Sequence, residues 1–215
     1  MGARPTSTAP ADAHDAMRRA RFEALATEVY EPLQRYVRRR IDAAAADDVV
    51  SDTLLVCWRR LDDVPDDAAL AWTLGVARRC LANDRRGERR QANVGHRLAA
   101  QPVAPPDSAD ENDLVADLHT ALAELPDTDR EIVLLWAWDG LPPRDIAVAL
   151  GLSANAVSIR LHRVKQRLAE RLGPARDAGF LSVGGHTFDR WLVRKIRQAG
   201  GHLPGERIDR RKEDR

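Results

Sequence analysis

Apolar residues recur at helical spacing through most of the chain. Phe22, Leu25, Val29, Leu33, Tyr36, Val37 and Ile41 follow one another at intervals of three, four or one, which gathers them on one stripe of a helix. Pro32 falls inside that stripe and predicts a kink or the start of a second helical piece. A second helix is expected over about 46–61, with Val50, Leu54, Cys57 and Leu61 facing inward. The segment DDVPDD at 62–67 breaks the pattern and can cap a third helix over about 68–90, carrying Leu70, Leu74, Ala77 and Leu81. No segment alternates convincingly with period two, so this half reads as all-α.

Residues 98–112 (LAAQPVAPPDSADEN) have three prolines, small residues and acids, and no periodic face. They read as a flexible linker separating two small helical domains. The expected organisation is a flexible arm over 1–13, a helical domain over 14–97, the linker over 98–112, a second helical domain over 113–173, and a partly disordered extension over 174–215. The second domain opens with Leu114, Leu118, Leu122 and Leu125, and Pro126 stops that helix. Thr128 and Glu131 have the spacing of a capping box for the next helix, which carries Ile132, Leu135 and Trp136.

GLPPRDIAVALGLSANAVSIRLHRVKQRL (140–168) reads as a helix-turn-helix. Pro142 and Pro143 suit a first helical turn, where no N–H is needed. Gly151 is placed to end that helix in a left-handed turn, and Ser153 to cap the next. Val157, Leu161, Val164, Leu168 and Leu172 make one buried side. The opposite side offers Asn155, Ser158, His162 and Lys165, with Ile159, Arg160 and Arg163 on its flanks. A major groove admits one helix, whose early residues meet base edges while Lys and Arg neutralise phosphates. A solvated helix face has the same composition, so periodicity alone leaves both readings open.

The charge balance adds to the picture. Lys and Arg number 34 against 33 acids, for a formal net charge of +1, but the charges are segregated. Residues 75–97 carry seven Arg against two acids, 101–131 nine acids against one Arg, and 160–176 six basic residues against one acid. Two basic blocks therefore flank an acidic connector, a distribution suited to nucleic acid despite the near-neutral total. No apolar run approaches the ~18–20 residues of a membrane span, and the N-terminus lacks a secretory core, which predicts a cytoplasmic protein without membrane insertion. Cys57 and Cys80 sit in apolar helical patterns and read as reduced, buried thiols. No HExxH, Cys/His cluster, phosphate-binding Gly-rich loop or GxSxG is present. The expectation is a non-enzyme with no catalytic residues, no metal and no cofactor.

These motifs, in this order, resemble the extracytoplasmic-function (group 4) RNA polymerase sigma factors of the sigma-70 family. ADDVVSDTLLVCWRRL (46–61) is similar to region 2.2, AWTLGVARRCLANDRRGERR (71–90) to regions 2.3–2.4, and 121–168 to region 4, so the resemblance covers about 20–172. It implies a region 2 bundle and a region 4 helix-turn-helix without the intervening domain of larger sigma factors. It further implies binding to core RNA polymerase through the β′ clamp helices and the β flap, recognition of promoter DNA, and an anti-sigma factor as a regulatory partner.

The resemblance also implies residue roles. Asp48, Ser51, Asp52, Leu55 and Trp58 would dock on polymerase, a mix of acids and apolar anchors suited to a protein interface. The family usually has Gln–Glu where Ser51 and Asp52 stand. Arg78, Arg79, Asn83, Arg85, Arg86, Arg89 and Arg90 would hold the melted −10 strand, and Trp72 is a stacking candidate or a core residue. Many relatives have Asn at the position of Arg79. Ser153, Ser158, Ile159, His162 and Arg163 would contact the −35 duplex, and the exposed helix side read above adds Asn155, Arg160 and Lys165 to them. Ile159 replaces a small polar residue and can meet a thymine methyl but not donate to guanine, which implies a distinct base preference. The acidic linker would thread toward the RNA-exit path.

Two rival readings remain at the level of sequence: a free-standing helix-turn-helix regulator, and a helical adaptor that binds no nucleic acid. The extension beyond 174 lies outside the resemblance. There Phe188, Trp191, Leu192 and Ile196 predict one short amphipathic helix.

Overall fold

The computed structural model describes residues 9–92, 109–172 and 186–198, and every regular element among them is helical. α1 spans Ala9–Arg38, α2 Ala43–Arg59 and α3 Ala69–Ala92, with a 3-10 turn at Leu61–Asp63 between the last two. α4 (Ala109–Ala123), α5 (Asp127–Ala137), α6 (Pro143–Leu150) and α7 (Ala154–Leu172) follow, and α8 covers His186–Gln198. α1 begins inside the stretch expected to be an arm, and α4 begins inside the stretch expected to be a linker. The remainder of that linker, and the chain beyond 198, lie outside the described residues.

Pro32 neither divides α1 nor ends it. A proline inside a helix costs a backbone hydrogen bond and a clash with the preceding turn. Here the next turn buries Leu33, Tyr36 and Val37 completely or nearly so, and that apolar contact holds the helix together. α1, α2 and α3 pack as a three-helix bundle. Cys57 and Cys80 are both free thiols, Cys57 buried and Cys80, expected to be buried, only half-buried; burial pushes both up from the ordinary thiol range, which favours the protonated form.

In the second half α4, α5 and α6 all pack on α7. Arg130 ties this packing together. Its guanidinium donates to the carbonyls of Leu122, Ala123 and Leu125 at 2.7–2.9 Å, satisfying the C-terminal end of α4. The expected capping box at Thr128 does not form. α5 starts earlier, with Pro126 at its N-cap and no side-chain cap bond. Glu131 is drawn away instead, to Tyr36 of α1 and Arg40 in the turn that follows it.

The two halves expected to be separate share one hydrophobic core, running from Leu33 and Leu74 to Ile132, Ile146 and Leu168. At the seam α3 meets α6 so closely that a Cβ on Gly75 would stand 2.7 Å from the Ala149 carbonyl oxygen. Only a residue without a side chain admits that approach. Beside it, the Tyr36 hydroxyl donates to Glu131 at 2.8 Å and Arg40 pairs with the same oxygen at 3.1 Å. Arg39 pairs with Asp139 at 3.0 Å and lies over the Trp138 ring. The other Asp139 oxygen is buried with no hydrogen-bond partner among the described residues. Burial raises the Asp139 carboxyl above the ordinary aspartate value, against the opposing pull of Arg40 and Arg39. Burial likewise lowers Arg39, against the pull of Asp139. Both partners are therefore shifted toward their neutral forms, so desolvation outweighs attraction in this pair.

α8 docks on α5 and buries Leu192 and Ile196 fully, as its apolar spacing anticipates. The Trp138 indole N–H donates to the Ile196 carbonyl at 2.9 Å, and Arg197 Nε donates to the Ala137 carbonyl at 2.9 Å.

Candidate nucleic-acid interface

Four residues fix the start of α6 and the turn between α6 and α7. Pro142 caps α6 in an extended conformation and Pro143 opens it. Gly151 ends α6 with φ 66°, in the left-handed region that costs other L-residues about 1–2 kcal/mol. Ser153 then accepts the Ala156 backbone N–H at 3.2 Å, capping α7. This geometry seats Val157 and Leu161 in the core and leaves the opposite side of the first turns of α7 to solvent.

The buried side of α7 is Val157, Leu161, Val164, Leu168, Ala169 and Leu172. Opposite it Asn155, Ser158, Ile159, Arg160, His162 and Arg163 are all exposed, with Ile159 retaining 44% of its surface. Within this exposed set the side chains are not equally available. The Ser158 hydroxyl donates to the Ala154 carbonyl at 2.9 Å within its own helix. Arg160 pairs with Asp129 at 2.9 Å. Lys165 is half-buried, pairs with Asp189 at 2.8 Å and lies over the Trp136 ring. The centre of the exposed face is thus Asn155, Ile159 and His162, with Arg163 beside them. Gln166 and Arg167 are exposed on the same side. Sequence reading passed over both, although Gln166 follows His162 by four and Ile159 by seven, the repeat of a helix face.

On α3, Arg78, Arg79 and Asn83 are exposed. Arg85, Arg86, Arg89 and Arg90 continue the same helix toward its C-terminal end. Arg78 and Arg79 follow Gly75 by three and four residues, so they lie one turn beyond the seam, on the face that meets α6. Trp72 is partly buried against the α1–α2 core, with Arg60 over its ring.

On α2, Asp48, Ser51, Asp52 and Leu55 are exposed, Leu55 at 44%. They form a continuous strip at helical spacing. Trp58 closes the strip but is only half-exposed. Its ring meets Phe22 edge to face at 5.3 Å and lies under the Arg18 guanidinium, which fixes it as the boundary between the strip and α1. Among the described residues no group of His, Cys, Asp and Glu could hold a metal ion, and no helix is long and apolar enough to cross a membrane.

Comparison with known proteins bears on the whole arrangement. The family model Sigma-70, region 4 matches residues 116–168, from within α4 through most of α7. The ECF RNA polymerase sigma factor SigL of Mycobacterium tuberculosis is 33% identical over 168 residues, covering 73% of this chain and 93% of that protein. The RNA polymerase sigma factor CnrH of Cupriavidus metallidurans is 33% identical over 138 residues, covering 59% of this chain and 72% of that protein. In fold, the chain is similar to the sigma factor RpoE solved with the anti-sigma factor NepR from Bartonella quintana. That match has a TM-score of 0.51 and 24% identity, and covers 72% of this chain and 98% of that one. With a relative matched over nearly its full length and a helix-turn-helix where region 4 belongs, the chain belongs to the extracytoplasmic-function sigma factors of the sigma-70 family, proteins that direct transcription initiation.

Proposed function

We propose that the chain works as a promoter-specificity factor, not an enzyme, through three separate surfaces. The α2 strip of Asp48, Ser51, Asp52, Leu55 and Trp58 docks on core RNA polymerase. Acids at the rim and apolar side chains at the centre suit a desolvated protein contact. The cations of α3, from Arg78 to Arg90, with Asn83 among them, hold the phosphates of the melted −10 strand. α7 enters the major groove of the −35 duplex, where Asn155, Ile159 and His162 face base edges and Arg163 a phosphate. Ser153 acts there as the cap that aims the helix, and Ser158, Arg160 and Lys165 contribute from its margins. An anti-sigma factor is the expected regulatory partner, as it is for the RpoE protein of similar fold.

The observation that carries this reading is the exposure of all three surfaces at once. The α2 strip, the start of the α3 cation run and the α7 face all remain open to solvent while the apolar sides of the same helices close one core. A free-standing regulator has no use for the α2 strip.

Run-off transcription with core RNA polymerase on a promoter library tests the proposal. Start-site-directed transcripts that disappear with Asp52→Arg support it. Capture of core polymerase without specific transcripts on any template or at any salt concentration overturns it.

A further inference from the structure

Cations without an ion-pair partner among the described residues border the exposed face of α7 on one side only. At roughly 100° per residue, Asn155, Ile159, His162 and Gln166 form the centre of that face, and Arg163 and Arg167 are exposed along one margin. The other margin carries Ser158 and Lys165. Ser158 spends its hydroxyl proton on its own helix, and Lys165 is held by Asp189. A helix lying in a major groove has a phosphate strand on each side, so cations on one margin leave the second strand without a charge partner.

The margin poor in available cations is the one where α8 docks, through the Lys165–Asp189 pair. α8 buries Leu192 and Ile196 fully and Phe188, Trp191 and Val193 partly against the core, and its backbone accepts from Trp138. What remains outward is Arg190, Arg194, Arg197 and Gln198, a stripe at helical spacing. No acid lies in the stripe, because the one acid of α8, Asp189, is turned onto Lys165. Arg197 gives one N–H to the Ala137 carbonyl. Arg190 and Arg194 have no ion-pair partner among the described residues.

We propose that α8 is a second DNA-contacting element, in which Arg190 and Arg194 neutralise the phosphates of the strand bordering α7 on its Ser158–Lys165 side. It reads no bases. Its occupant is duplex DNA, selected by charge complementarity and by the Lys165–Asp189 link that holds α8 beside α7. The proposal rests on the reading of α7 as the duplex-reading helix. It also assigns Asp189 a positioning role, since that carboxylate anchors α8 to the recognition helix itself.

The test uses the full chain and a mixed-sequence duplex of about 30 base pairs, three helical turns, titrated over a series of salt concentrations. Each phosphate contact contributes about 0.9 to the slope of log affinity against log salt, so the surface double variant Arg190→Gln/Arg194→Gln should lower that slope by roughly 2. Arg163→Gln, measured in parallel, should lower it by about 1. A lowered slope in both variants supports the proposal. A lowered slope for Arg163→Gln alone overturns it and leaves the α7 reading intact. No change in either variant fails the α7 reading and the proposal with it. An unchanged DNA slope combined with lost capture of core polymerase assigns the stripe to a protein and also overturns it.

Discussion

Arg40 and Glu131, 91 residues apart, meet at 3.1 Å with the guanidinium only 4% exposed. They join the α1–α3 bundle to the helix-turn-helix half. The same guanidinium donates to the Tyr36 carbonyl and lies on the Tyr36 ring, while the Tyr36 hydroxyl donates to Glu131. Removing one member of a buried pair strands the other, at a typical cost of 3–5 kcal/mol. Glu131→Ala should therefore lower stability by about 3 kcal/mol in urea unfolding. Arg40→Met combined with Glu131→Leu should recover most of that loss. A cost under about 1 kcal/mol for Glu131→Ala would show that the triad does not join the halves in solution.

The Arg39–Asp139 pair predicts a pH dependence. Its carboxyl is raised by burial in the closed arrangement and would return to the ordinary value, 3.8, if the halves parted. The closed state then binds the proton more tightly than the open one between those two values. Closure is favoured at the acidic end of that window and weakens as pH rises through it. Asp139→Asn should flatten the part of the pH profile that this group supplies. Small-angle scattering of parent and variant across the window reads the difference. An identical profile in both would remove Asp139 from the balance.

Gly75→Ala probes the seam without touching its charges. The added methyl meets the backbone of Ala149, which cannot rotate aside, whereas alanine favours the α3 helix itself by about 1 kcal/mol. The expected result is a chain whose helix content is unchanged but whose radius of gyration increases. Access of a single-stranded oligonucleotide to Arg78 and Arg79 should rise with it, because those residues lie one turn beyond the contact. Unchanged compactness would mean that α6 gives way at little cost.

Gly151→Ala places a methyl on a residue with φ 66° and open space around it. Sterics with neighbours are therefore not the issue, and the left-handed backbone alone should cost about 1–2 kcal/mol in thermal or urea unfolding. A neutral outcome would require α6 to end differently in solution.

On α7 the partners of each side chain separate two kinds of effect. Arg163→Ala should weaken duplex binding across all sequences, and Arg160→Ala less so, because Arg160 is committed to Asp129. His162→Ala and Gln166→Ala should instead shift base preference. A selection from a randomised duplex pool checks this, and unchanged preference in both would move base reading off this face.

The helices were legible because each buries one stripe, and stripe spacing is written in the chain. Val50, Cys57, Leu74, Ala77, Leu161 and Leu168 are all where periodicity puts them. Gly151 and Ser153 were legible because only a few residue types meet the demands of a left-handed turn and a cap. Pairings across long separations were not. Glu131 has the spacing of a local capping box, and nothing nearby in sequence reveals that Tyr36 and Arg40 outcompete it. Lys165 and Arg160 likewise read as solvated cations until Asp189 and Asp129 are placed beside them. The close approach at Gly75 leaves no local sign at all, since a glycine within a helical pattern has no preferred partner.

Trp138 lies where three distant parts of the chain converge. Arg39 covers its ring from the turn after α1, and its indole N–H is spent on Ile196 of α8. Parting the halves strips a cation from the indole, and releasing α8 strips its acceptor, so either event changes the polarity around one chromophore. The chain thus carries its own optical gauge of opening, read as the difference in ultraviolet emission between the parent and Trp138→Phe, because four other tryptophans also emit.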